Sequence, residues 1–331
     1  MIYVNIITCF GQDLFIHQLD HKRYEGRIAF YENSKEDRLW DYVVVYEVIR
    51  NDISFRCKKG GLIFMSGEPE DSSPYCKKFL DQFDCILSSL KWYKKPSLRH
   101  YQTALNYHYG KSYAQNTFKY DYESLSNMSI PVKTKDMSMM CSNKTMLPGH
   151  VLRFKLYQAL SSKLKGKVDF FGSGIQLVDD KADAINPYRF HICIENSSIP
   201  HYWTEKIADS LLGYSIPIYY GATNIYDYFP KEAVIWLDIR DTESCVKQIE
   251  EIIAHAEQIY AGKLPYLKEA RKLLLDKYNI FPTIEEVIKS YPSREVGDCK
   301  VTLSSYLHMS GYKFRMLPLR LRRLIFKKLH I

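Results

Sequence analysis

The 331 residues contain no CxxC pair; the eight cysteines, at 9, 57, 76, 85, 141, 193, 245 and 299, are scattered, several inside apolar runs such as FHICIEN. That spacing speaks against a zinc ribbon or a disulfide framework and fits reduced, buried thiols. No window approaches the roughly 18 unbroken apolar residues of a membrane span, and the opening MIYVNIITCFGQD has neither a basic leader nor a long apolar region. A cytoplasmic protein is expected. There is no DxD pair to hold a metal and no HExxH, and His17 and His21, at i, i+4, have no third ligand nearby. No metal site is predicted, and no repeat of fixed period is present. The net charge is +8, but the body lacks the basic stripe that a nucleic-acid partner requires. Much of the excess lies at the end, where seven Lys or Arg residues and no acid follow from Gly311 onward.

What is present is alternation. Hydrophobic residues make up 46% of the chain, and short β-branched or aromatic runs alternate with helical patterns, which predicts α/β architecture. IYVNII, RIAFY, YVVVYEVI, GLIFM and CILSS read as strands. A helix is expected in SSPYCKKFLDQF, with Ser73 as its cap and Pro74 in its first turn. Residues 91–135 have no clear period and read as long loops. A second series follows: the strand MSMMCSN, a helix with Leu152, Leu156, Ala159 and Leu160 on one face, KVDFF, the loop GSG, RFHICIEN, the helix TEKIADSLL, IPIYYG and AVIWLDI. Residues 242–290 read as helices, with TIEE at 283–286 as a capping box. Two such series predict two Rossmann-like domains facing a central cleft, with ligand at the carboxyl ends of strands. The expected division is an N-terminal domain 1–135, a C-terminal domain 136–300 and a basic tail 301–331.

The stretch ENSSIPHYWTEK lies between a predicted buried strand and a predicted packed helix. Thr204 suits the N-cap, Ile207, Ala208, Leu211 and Leu212 the buried face, and Gly213 the end. Lys206 then falls in the first turn, where a cation opposes the helix dipole unless an anion lies in front of it. Backbone N–H groups at a helix start, joined by a lysine, suit a phosphate. Arg153 is predicted in a similar place, in the first turn of the helix after KTMLPGH. Taken singly, each also reads as a solvated surface charge; their shared placement points to one diphosphate.

FHICIENSSIPHYWTEKIADSLLGYSIPIYYGATNIYDYFP, with the preceding PYR, resembles the signature of the family 10 glycosyltransferases, the α1,3/4-fucosyltransferases, in their bacterial form. Tyr188, Arg189, Phe190, Glu195, Asn196, Ser197, Tyr202, Thr204, Glu205, Lys206, Pro217, Gly221 and Pro230 match in order and spacing. The clear match covers 186–240, a looser one reaches back to Ser142, and a faint one to GEP at 67–69. Arg189 stands where the family usually has lysine, and Ile194 replaces an aromatic residue.

The resemblance implies a GT-B fold, GDP-fucose bound mainly by the second domain and an acceptor sugar bound mainly by the first. It implies a donor site of Arg153, Asn196, Tyr202, Thr204, Glu205 and Lys206, with Glu195, Ser197, Gly172 and Gly174 at its margin. Lys206 and Arg153 match the diphosphate-binding pair, and Glu68 is similar to the proposed base, with Glu205 as the second catalytic carboxylate. An inverting transfer of this type requires no cofactor, and divalent-metal stimulation stays open. The expected acceptor is an N-acetylglucosamine or glucose unit of a surface polysaccharide.

In the tail, Leu317, Leu321, Leu324 and Ile325 fall on one helical face and Arg320, Arg323 and Lys327 on the other. This reads as an interfacial helix for an anionic leaflet, placing the protein on the inner face of the cytoplasmic membrane. The alternatives are another nucleotide sugar on the same fold, or a non-catalytic glycan- or membrane-binding protein. Oligomeric state is not legible.

Overall fold

The computed structural model describes residues 1–309 apart from 12, 70–74, 103–105 and 143–147. The basic tail, Ser73, Pro74 and most of the loop KTMLPGH therefore lie outside the described residues. The chain forms two units: Met1–Asn106, continued by the chain from Tyr278, and the uninterrupted stretch Tyr107–Lys277.

The first unit is built on six parallel strands, β1 (Ile2–Thr8), β2 (Ile28–Glu32), β3 (Tyr42–Tyr46), β4 (Leu62–Met65), β5 (Cys85–Ser88) and β6 (Leu98–His100), in the order β2-β1-β3-β4-β5-β6. Every residue of β3, YVVVY, is buried. A strand reads this way when both faces of a parallel sheet are covered. Val44, Ile63 and Leu87 pack with Ile280, Phe281, Ile284 and Val287 of the helix Ile280–Ser290. Successive residues point to opposite faces, so Val45, Phe64 and Ile86 pack instead with Phe79, Phe83 and Tyr306. The strand expected over YVVVYEVI stops at Tyr46 because Glu47 takes φ +66°. The helix expected from Ser73 is Lys77–Leu80 in the described residues, with Cys76 at its N-cap.

The second unit has five parallel strands, β7 (Lys135–Met140), β8 (Asp169–Phe171), β9 (Tyr188–Ile194), β10 (Ile216–Tyr220) and β11 (Ile235–Trp236), in the order β8-β7-β9-β10-β11. Helices α1 (Pro148–Lys163), α2 (Glu205–Leu212), α3 (Thr242–Ala254) and α4 (Ala256–Asp276) accompany them, α1 packing with α3 and α2 with α4. From β7 the chain goes to β8 on one side and to β9 on the other. The carboxyl ends of β7 and β9 thus bound the switch point of the sheet, where α/β folds place ligands.

Three expectations need correction. The units meet in sequence at 106/107 and 277/278, not at 135/136 and 300/301, because residues 107–134 bond within the second unit: the Tyr107 hydroxyl donates to the Leu274 carbonyl at 3.0 Å, and the His108 and Tyr109 N–H groups donate to Asp209. Residues 91–135 are not all loop, since they hold β6, a small hairpin at Lys111–Ser112 and Thr117–Phe118, and the helix Tyr122–Ser126. Finally, TIEE is interior to its helix. Asn279 is the N-cap, its side chain accepting from the Phe281 N–H at 2.9 Å, and the Thr283 hydroxyl turns back to the Asn279 carbonyl.

Candidate functional site

A cavity of about 350 Å³ opens at the carboxyl ends of β7, β8 and β9 and is walled by Ser142, Arg153, Gly172, Lys181, Glu205 and Lys206 among others. All belong to the second unit. Gly172 follows β8 with φ +128°, and a Cβ there would collide with the Cys141 carbonyl. Gly149 similarly lets α1 start hard against the Asn196 backbone. These close approaches bring the start of α1 to the loops that leave β7 and β9.

Arg153 lies in the second turn of α1, one turn further than expected. It shares the buried stripe with Leu156 and Leu160, at i, i+3 and i+7, and is 6% exposed. Its Nη1 donates to Asn196 Oδ1 at 3.2 Å and its Nη2 to Ser142 Oγ at 3.1 Å. Its buried Nε has no partner among the described residues. A desolvated guanidinium held only by neutral acceptors beside a void favours an anion there.

Lys206 is in the first turn of α2, and Thr204 is the N-cap, its hydroxyl accepting from the Lys206 N–H at 3.4 Å. The anion that a cation in this position calls for is built in. Lys206 Nζ is 3.1 Å from Glu195 Oε2, 3.0 Å from Thr204 Oγ1 and 3.4 Å from Glu205 Oε1. Glu195, 0% exposed, also accepts from the Thr204 N–H at 2.8 Å and from its hydroxyl. Burial pushes the Glu195 carboxyl up against the pull of Lys206. Burial likewise opposes the charge on Lys206, but Glu195 and Glu205 outweigh it and raise its pKa. Glu195 therefore fixes the ammonium rather than forming the cavity wall.

Three residues that the sequence reading missed complete the site. Lys181, from the short helical turn Lys181–Ala184, places Nζ 3.0 Å from Asp209 and 3.8 Å from Glu205. Burial pushes Asp209 up to about 6 against the pull of Lys181. At Glu205, burial pushes upward, but Lys206 and then Lys181 prevail and hold the carboxyl well below the usual range. The His108 ring, bonded to the Tyr113 hydroxyl at 2.9 Å, is driven down to about 3 by burial and by Lys181. The signal available in sequence was the Glu205/Asp209 spacing: two acids one turn apart on a helix face call for a cation between them.

Of the other predicted residues, Asn196 holds Arg153, Thr204 ties Glu195 to Lys206, and Tyr202 and Ser197 lie outside the cavity wall, Tyr202 being buried. Gly174, with φ +81°, is also outside the wall. Glu68 lies in the first unit, just beyond β4 in the turn Ser66–Pro69. It is exposed, and its carbonyl accepts from the Ser66 hydroxyl at 3.2 Å. The buried Glu47 carboxylate holds this turn, accepting from the Gly67 N–H and the Tyr75 hydroxyl. Burial pushes Glu47 up to about 7, with Tyr75 opposing and the charge of Glu68 adding to the rise.

A parallel sheet with a cavity at its switch point is the arrangement in which α/β folds place ligands. Residues 130–266, within the second unit, match the family model described as glycosyltransferase family 10 (fucosyltransferase) C-term. Similar proteins include the α-(1,3)-fucosyltransferase FucT of Helicobacter pylori, 28% identical over 134 residues, which are 40% of this chain and 27% of that protein. An α-(1,4)-fucosyltransferase of Arabidopsis thaliana is 42% identical over 52 residues, 16% of this chain and 13% of that protein. The matched stretches thus span about a quarter or less of these relatives. Among solved structures, an α1,3-fucosyltransferase with GDP-fucose superposes with a TM-score of 0.53 at 19% identity, covering 90% of this chain and 92% of that one. The form with GDP gives 0.55 at 18%, covering 89% and 91%. These likenesses establish the fold as that of the GT-B fucosyltransferases.

Proposed function

We propose that the protein is an inverting fucosyltransferase that moves fucose from GDP-fucose to an N-acetylglucosamine or glucose unit of a surface glycan, in α1,3 linkage. The observation that carries this reading is Arg153, a buried guanidinium without a carboxylate partner among the described residues, in one cavity with Lys206. In the reaction the bond between fucose C1 and the diphosphate breaks, and the acceptor oxygen forms a new bond to C1 from the opposite face. Arg153, Lys206 and the start of α2 would take up the charge gathering on GDP. Glu68 would accept the hydroxyl proton, and Glu205 would steady the positive charge on the sugar ring. No cofactor enters this scheme. The basic tail, outside the described residues, is proposed to dock on the inner face of the cytoplasmic membrane, near a lipid-linked acceptor.

Release of GDP, surveyed across nucleotide sugars with the purified protein, tests the proposal. Fucose-dependent release is expected; release only with another sugar, or none despite GDP binding, would point instead to the two alternatives. Glu68→Gln should keep GDP affinity and lower kcat by roughly 10²- to 10⁴-fold. Wild-type turnover in that variant would remove Glu68 from the scheme.

A further inference from the structure

Glu205 and Asp209 stand one turn apart on α2, a spacing at which two carboxylates repel. Lys181, 13% exposed, puts its ammonium between them. Its place is fixed from both sides. Asp180, directly before it, accepts from the Gly110 N–H at 2.9 Å and the Ala182 N–H at 2.8 Å. Asp209 uses Oδ1 for the His108 and Tyr109 N–H groups, at 2.8 and 2.9 Å, and Oδ2 for Lys181. The segment His108–Gly110 is thus gripped by two acids, one preceding Lys181 and one bonded to it. Lys206, in the same cavity wall, is held differently: its ammonium is shared among Glu195, Thr204 and Glu205. Both lysines address the same oxygen of Glu205, Oε1, at 3.4 Å for Lys206 and 3.8 Å for Lys181.

A diphosphate in the cavity competes with that oxygen for the Lys206 ammonium, because Glu205 is the longest of its three contacts, already has a second cation, and carries one charge against the two of the diphosphate. Glu205 then loses its nearer counter-charge. Lys181 cannot follow the ligand without abandoning Asp209, which is itself bonded to the backbone. We infer that Lys181 is a positioning residue, the fixed counter-ion that holds Glu205 in place and charge-balanced once Lys206 turns to the incoming diphosphate. Without it, Glu205 and Asp209 face each other uncompensated at the moment when positive charge develops on the sugar. This rests on reading the cavity as a diphosphate-sugar site.

The test compares full-length wild type with Lys181→Met, Lys181→Arg and Lys206→Ala, by GDP calorimetry, by kcat and KM for the sugar donor, and by Tm. Lys181→Met is expected to retain GDP affinity and donor KM while kcat falls by about 10- to 100-fold, the scale on which an outer-sphere partner acts. Lys181→Arg should recover most of the loss, since guanidinium restores the charge between the two acids. Should Lys181→Met fail to fold, Lys181→Gln gives the same comparison. A loss of GDP affinity in Lys181→Met as large as that in Lys206→Ala would make Lys181 a direct phosphate ligand and overturn the inference. So would equal kcat losses in Met and Arg variants with a lowered Tm in both, which mark packing alone. Unchanged GDP affinity in Lys206→Ala would instead overturn the diphosphate reading beneath it.

Discussion

Glu285 in the first unit and Glu205 in the second each face more than one cation, yet their settings differ. Glu285 is approached by Arg23 at 2.6 Å, Arg27 at 2.9 Å and Lys289 at 2.9 Å, with Arg27 and Lys289 largely exposed. The cluster fastens the helix Ile280–Ser290 to the segment between β1 and β2, and its cations are spent on that carboxylate. Around Glu205 the ammonium groups of Lys181 and Lys206 are shared among three carboxylates, Glu195, Glu205 and Asp209. Arg153, by contrast, is a cation whose hydrogen-bond partners are neutral. Charge density therefore does not mark a site. A desolvated cation without a counter-charge, next to an open volume, does.

Arg153→Met should separate the two settings most sharply. GDP affinity is expected to fall on the order of 100-fold, about 2.7 kcal/mol, while Tm holds or rises because an unpaired buried charge is gone. Calorimetry and a thermal melt check both halves; wild-type GDP affinity in this variant would erase the distinction drawn here. Lys206→Ala should weaken GDP binding and also lower stability, by about 3 kcal/mol in urea unfolding, since it strips Glu195 of its buried partner. Glu285→Gln is expected to cost about 1–2 kcal/mol of stability, discounted for the exposure of its partners, with no change in GDP affinity.

The smallest expected effect concerns acid. At Glu285, burial pushes the carboxyl up, but Lys289 and then Arg23 prevail and hold it down to about 2. A depressed folded value means a contribution that is complete above the ordinary value of 4.5 and lost as pH falls from there toward about 2. Stability curves of wild type and Glu285→Gln should therefore converge across that window; a gap that persists below it would show that Glu285 acts through packing rather than charge.

How much of this could be read beforehand differs between the two units for physical reasons. β9 and α2 were legible because their buried residues follow periods of two and of three to four, with Thr204 marking the boundary. Arg153 was legible as a residue beside this cavity, though one turn out of place, since α1 starts where Gly149 approaches Asn196, which no local pattern records. Lys181 was missed because its partners lie on a later helix, although the acid pair itself hinted at a cation. Glu47 could not be read at all: a left-handed backbone at the end of an apolar strand leaves no trace in composition. The boundaries failed for a related reason. A chain read from left to right suggests consecutive domains, whereas the helix Ile280–Ser290 returns to a sheet begun at Ile2.

That return sets an order of assembly during synthesis. Tyr107–Lys277 is one unbroken stretch and can close its sheet as soon as the ribosome has released it. The earlier-made strands must wait, because Phe281 and Ile284, which cover Val44 and Ile63, emerge only afterwards. The part of the polypeptide born first is thus the last to be finished, since both faces of its sheet await later residues, Phe281 and Ile284 on one and Tyr306 on the other.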